Sequence, residues 1–188
     1  AMVMVNGNYN RLTKAAVEKL SGWINDGGTL ITFKGAAEWA ISQQLSDAKL
    51  LQDTAEAPVQ RFNYEEARER EGAKAIRGSI YLADLDITHP LGYGYTRRAI
   101  PLYKNSDALF ALSKVPYNTV AQYASQPLLS GYISAENLGK LSNTASILVS
   151  NQGKGRVILF ADNPNFRGMW LGTNKLFLNA LYFGNLID

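Results

Sequence analysis

Cysteine is absent from this 188-residue chain and histidine occurs once, as His89. Without cysteine there is no disulfide, no thiolate metal ligand and no thiol nucleophile. One histidine cannot build a zinc site, which takes three or four ligands. Carboxylate clusters would be the remaining metal donors, and they favour Ca²⁺ or Mg²⁺. No metal and no cofactor is therefore expected. Charge is also sparse: charged residues make up 19% of the chain, with a net charge of +3. The lysines and arginines are scattered, with no basic helix and no basic stripe interleaved with aromatics, so a nucleic-acid partner is not expected. No apolar run approaches the ~18 residues that a membrane-spanning helix needs, so no membrane partner is expected either.

What is present is a globular pattern, 46% hydrophobic and of a length suited to one domain. Val3, Met4 and Val5 read as a strand and Asn6-Gly7-Asn8 as a turn. Asn10 then reads as a helix N-cap, ahead of Leu12, Ala16, Leu20, Trp23 and Ile24 on one apolar stripe. Gly27-Gly28 supplies a left-handed stop. Residues 29–33 (Thr-Leu-Ile-Thr-Phe) form the next strand, so the opening reads as a parallel βαβ unit. That strand runs into Lys34-Gly35-Ala36-Ala37 and a helix containing Glu38 and Trp39, a strand–turn–helix elbow where hydrolytic α/β folds carry Ser or Cys. Here no such nucleophile is offered, so the elbow near Gly35 is expected to be catalytically empty.

Residues 46–77 alternate acids (Asp53, Glu56, Glu65, Glu66, Glu69, Glu71) with Arg61, Arg68, Arg70, Lys74 and Arg77, and read as a charged, partly helical insertion. Glu66 and Arg70 stand in the favourable i,i+4 order. Residues 78–134 read as short strands (79–83, 99–103, 108–112, 120–123, 131–133) that add antiparallel pairing. Residues 145–149 and 156–161 are near-continuous apolar strands covered on both faces, joined as a hairpin through Asn151-Gln152-Gly153-Lys154-Gly155. Asp162 closes the second of these, a loop follows, and Thr173 caps a last helix with Leu176, Phe177, Ala180 and Leu181 inward.

Several stretches together resemble a domain found at the C-terminal end of large bacterial proteins of the zinc carboxypeptidase family. They are the opening strand and turn, Trp23-Ile24-Asn25-Asp26-Gly27-Gly28-Thr29-Leu30-Ile31, and Thr88-His89-Pro90-Leu91-Gly92-Tyr93-Gly94. Near the end come Gly153-Lys154-Gly155-Arg156-Val157-Ile158-Leu159-Phe160, Phe166-Arg167-Gly168 and Leu176-Phe177-Leu178-Asn179-Ala180-Leu181. That domain is similar to the class I glutamine amidotransferase fold. The resemblance implies an α/β domain over residues 1–188 with a mostly parallel, flavodoxin-like sheet flanked by helices, plus the hairpin and the strand-rich insertion. It implies a fragment whose partner is the missing N-terminal part of the parent protein, in a periplasmic or secreted setting. The amidotransferase Cys and late His are missing, as is the peptidase His-x-x-Glu pair, so no catalytic residue carries over. An accessory or ligand-binding role for a carboxypeptidase-like protein is the expectation. The alternatives are a hydrolase using Asp162, His89 or Glu38, and a carbohydrate- or peptide-binding module built around Trp170 and the tyrosines.

Four residues stand out as binding candidates. Asp162 lies at the carboxyl end of a strand, where open α/β sheets bind ligands. Arg167 and Trp170 follow within reach, a guanidinium suited to a carboxylate and an indole suited to stacking. Asp162 and Arg167 are expected to share one site. His89, before Pro90, reads as a loop-fixing hydrogen bonder or a general base. Loss of a preceding strand would expose the 3–5 edge, predicting self-association there as a two-fold homodimer.

Overall fold

The computed structural model describes residues 1–51 and 61–187; the acids at 53 and 56 lie outside the described residues. Among the described residues seven strands form one sheet in the order β1-β2-β7-β6-β5-β3-β4. They are β1 (Met2–Met4), β2 (Thr29–Phe33), β3 (Ser79–Leu85), β4 (Ala99–Lys104), β5 (Thr119–Ser130), β6 (Ala145–Gln152) and β7 (Gly155–Phe160). The helices are α1 (Lys14–Asn25), α2 (Gly35–Ser42), α3 (Ala67–Lys74), α4 (Ala135–Leu141) and α5 (Asn174–Phe183).

The βαβ opening is as expected: β1 pairs parallel with β2 through α1. β2 then pairs parallel with β7. Every other pairing is antiparallel. The fold is mixed α/β, but the expectation of a mostly parallel sheet is corrected. Parallel pairing is confined to three strands, because the 145–160 hairpin and the strands from 79 to 130 join by antiparallel connections. Both of these antiparallel parts are as expected, so the difference lies in how few strands they leave to pair in parallel.

Inside-out alternation in β7 shows why both faces are covered. Val157 and Leu159 pack with Ile24 of α1 and Ala36, Trp39 and Ala40 of α2. Ile158 and Phe160 face the other way, against Leu141 of α4 and Leu176 and Ala180 of α5. The turn at Gly155 brings that hairpin against α1 so closely that a Cβ there would sit 2.0 Å from the Ile24 carbonyl oxygen. Gly27 has φ 118° and ends α1 in the left-handed region, as its sequence position predicted.

Other expectations move. The α1 cap is Thr13, whose hydroxyl accepts from the Ala16 N–H at 3.3 Å; Asn10 instead takes part in a local turn with Asn8. Residues 108–112 supply only single bridges through Phe110, and 131–133 is not a strand. Within the charged insertion α3 forms, with Arg70 bonded to Glu66 at 2.6 Å.

Candidate functional site

Between the last residue of β2 and the first of α2 stands a single residue, Lys34. Its φ of 53° and ψ of −123° are a strained combination for a side-chain-bearing residue. A sharp, strained strand-to-helix turn is the backbone that hydrolases reserve for a nucleophile. Sequence reading centred the elbow on Gly35 and Ala36; the side chain at its apex is a lysine. Its ammonium donates to Asn105 Oδ1 at 2.8 Å and lies 3.4 Å from the Asn105 carbonyl. The following N–H, that of Gly35, would serve as an oxyanion donor in such a turn. Here it donates to the Asn6 side-chain oxygen at 3.1 Å, from the loop after β1. Donor and apex side chain are thus both engaged within the chain.

Asn105 links the elbow to a buried polar cluster. Its neighbour Lys104 takes the third inward position of β4 after Ile100 and Leu102 and is fully buried. The Lys104 ammonium donates to the Ala108 carbonyl at 2.8 Å and Ser106 Oγ at 3.2 Å, and lies 3.4 Å from Asp162 Oδ1. Ser106 Oγ is 3.0 Å from the same carboxylate oxygen. Tyr123 OH donates to Asp162 Oδ2. Burial pulls the Lys104 pKa down, and the Asp162 carboxylate offsets this only in part. Burial and the adjacent carboxylate both push the Tyr123 phenol well up, so it stays protonated and donates. Asp162 therefore sits at the carboxyl end of β7, as expected, but as the centre of a largely buried hydrogen-bond network. Nothing in the sequence singled out Lys104; alternation along β4 was the available signal.

None of the other candidates bonds to Asp162. The exposed Arg167 sits in the left-handed region with its guanidinium 5.2 Å from the Phe166 ring centre. It is not among the hydrogen-bond or ion-pair partners of Asp162; Lys104 supplies that charge. Phe166 stacks on Tyr103 at 3.8 Å, and Trp170 tilts toward the same ring at 6.3 Å with its indole N–H buried and without a partner. His89 is buried at the start of a 3₁₀ turn, where its Nδ1 accepts from the Leu91 N–H at 3.1 Å; burial lowers its pKa. It lines a cavity of about 200 Å³ with Asn118, Asn151 and Ile187. That cavity lies at the hairpin end of β7, while Asp162 follows the opposite end, about 20 Å away at ~3.3 Å per strand residue. His89 and Asp162 do not share a centre. Glu38, in the first turn of α2, borders an open cavity of about 380 Å³ beside the elbow, with Tyr9, Asn10 and Ser42.

No family model and no curated protein sequence matches this chain. Solved structures superpose on this chain, among them two with TM-scores of 0.50 and 0.51 that share its fold. A β-galactosidase from Bacillus circulans sp. alkalophilus superposes with a TM-score of 0.50 at 10% identity, over 98% of this chain and 22% of that one. The mmIFT52 N-terminal domain gives 0.51 at 12% identity, over 96% of this chain and 75% of that domain. A ThuA-like protein from Parabacteroides merdae gives 0.48 at 12% identity, over 85% and 58%. This chain thus spans about a fifth of the β-galactosidase and just over half of the ThuA-like protein.

Proposed function

We propose that this chain is a non-catalytic domain of glutamine amidotransferase-like descent that serves a larger, zinc carboxypeptidase-like protein, by packing against it or by holding a ligand for it. The single observation that carries the non-catalytic reading is the elbow. Its strained backbone is kept at Lys34, yet the apex ammonium is tied to Asn105 and the Gly35 N–H is capped by Asn6. A working acyl-transfer site needs a free nucleophile beside a free donor, with a base in reach. The association with a carboxypeptidase-like parent rests on the sequence words quoted above, and the finer flavodoxin-like assignment rests on the same words.

A ligand role is favoured by one further observation. Tyr103, Phe166 and Trp170 form an aromatic group beside the exposed guanidinium of Arg167, and the Trp170 indole N–H is unpaired. Such a group suits a flat or anionic ligand such as a peptide carboxylate or a sugar acid.

The test is direct. Purified protein incubated with an activated ester and with glutamine is expected to show no turnover above the buffer rate and no change in Lys34→Ala. Turnover that vanishes in Lys34→Ala overturns the non-catalytic reading. The reading frame upstream is expected to encode a His-x-x-Glu carboxypeptidase domain in frame; a different in-frame domain would remove that parent.

A further inference from the structure

Helix α5 is apolar on two sides. Inward, Leu176 and Ala180 are buried under the sheet. Outward, Leu171, Leu178 and Tyr182 fall at spacings of seven and four, one stripe along the helix and the turn before it. They are 70%, 46% and 73% exposed. Phe183, Leu186 and Tyr93 extend this stripe, the Tyr93 and Phe183 rings lying 5.9 Å apart. A helix apolar all round belongs between two layers, and this one has a layer on one side only.

We propose that this face of α5 is the interface of a two-fold homodimer. Two observations favour a second copy over another occupant. First, the six side chains present on the order of 700 Å² of exposed surface, against roughly 800 Å² per partner in a standard interface. Second, an isologous contact lays the patch against a copy of itself, so a patch carrying one sign of charge would repel its image, and this patch has almost no charge. Among the described residues of the stripe the sole charged group is Lys175. Its ammonium is held within the chain, donating to the Gly94 carbonyl at 2.9 Å and standing 5.4 Å from the Tyr95 ring centre. The surface therefore carries nothing that selects a charged partner and nothing that repels its own image. The edge strand β1, by contrast, offers three residues of backbone. The inference does not depend on the carboxypeptidase parent.

Sedimentation equilibrium on the whole chain tests it, at about 100 µM, well above a Kd of roughly 1 µM. The expected mass is twice that of the monomer, returning to the monomer value in Leu178→Asp/Tyr182→Asp with an unchanged circular dichroism spectrum. Because the chain lacks cysteine, Leu178→Cys and Tyr182→Cys each carry a lone thiol. Mild oxidation is expected to convert at least one of them to a covalent dimer and to leave Val5→Cys monomeric. A monomeric wild-type chain, a dimer indifferent to the double substitution, or cross-linking at Val5→Cys alone each overturns the assignment.

Discussion

Replacing Asp162 by Asn keeps the shape of the side chain and removes the negative charge that acts most strongly on the Lys104 ammonium. Lys104 has no exposed surface. Its remaining partners, the Ala108 carbonyl and Ser106 hydroxyl, are neutral. The charge must then stay buried with only the weaker influence of Asp107 to offset it, or the amine must give up its proton. Breaking a buried pair in this way costs about 3–5 kcal/mol. Asp162 keeps some contact with solvent, its side chain being 10% exposed, which argues for the lower end, about 3 kcal/mol. In a domain of this length that lowers the Tm by roughly 6–12 °C. The double variant Asp162→Asn/Lys104→Met removes both charges and is expected to return to within about 1 kcal/mol of the wild type. Urea unfolding at pH 7 on the wild type, both single variants and the double variant closes the cycle. A single Asp162→Asn variant as stable as the wild type, or a double variant less stable than the sum of the singles, would refute the argument that this pair is electrostatically coupled.

Three further expectations concern residues around the site. Burial holds the folded-state pKa of His89 below that of the unfolded chain, so between those two values the unfolded state binds more protons. Stability should therefore fall as pH drops below about 6.5, the unfolded value, until the folded pKa is passed. His89→Asn, which keeps an acceptor for the Leu91 N–H, should show a shallower fall between pH 6.5 and 5; urea midpoints that move in parallel would count against it. Gly155→Ala drives a methyl group into the Ile24 and Gly28 carbonyls and should cost about 3 kcal/mol or more, read by thermal unfolding. Asn6→Ala releases the Gly35 N–H, for which α2 has no cap of its own. A loss of about 1 kcal/mol and faster amide exchange at the start of α2 are expected.

The sequence made the βαβ opening, the elbow and the final hairpin readable because each is local. A periodic apolar stripe, a glycine stop or a tight turn is written within a dozen residues. What it hid was relational. Residues 79–83 and 120–123 are legible as strands that pair antiparallel, as they do, but the extension of β5 to Ser130 and the place of β3 and β5 between β4 and β6 depend on contacts across the whole chain. Lys104 was hidden for a similar reason. A lysine reads as solvated until Asp162, 58 residues later, and the Ala108 carbonyl are seen closing over it. Asp162 was legible from its place after an apolar strand, and the charge beside it was sought in Arg167 because that residue is near in sequence. Lys34 was visible as a residue type, while its strained backbone is a property of the turn alone.

The pairing of β2 with β7 bears on how the chain reaches its native state. Thr32 Oγ1 donates to the Ile158 carbonyl, 126 positions away along the chain. Closing a loop of that length sets a large entropic toll before any reward is collected, and such non-local topologies fold slowly. During synthesis the first βαβ unit emerges early, with Leu30 and Ile31 on a strand whose second neighbour is not yet made. Until residues 155–160 leave the ribosome, one edge of that strand stays open and apolar. Truncation anywhere before Phe160 should therefore yield aggregating material rather than a smaller stable domain, and the nascent chain should be a client for chaperones that bind extended apolar segments.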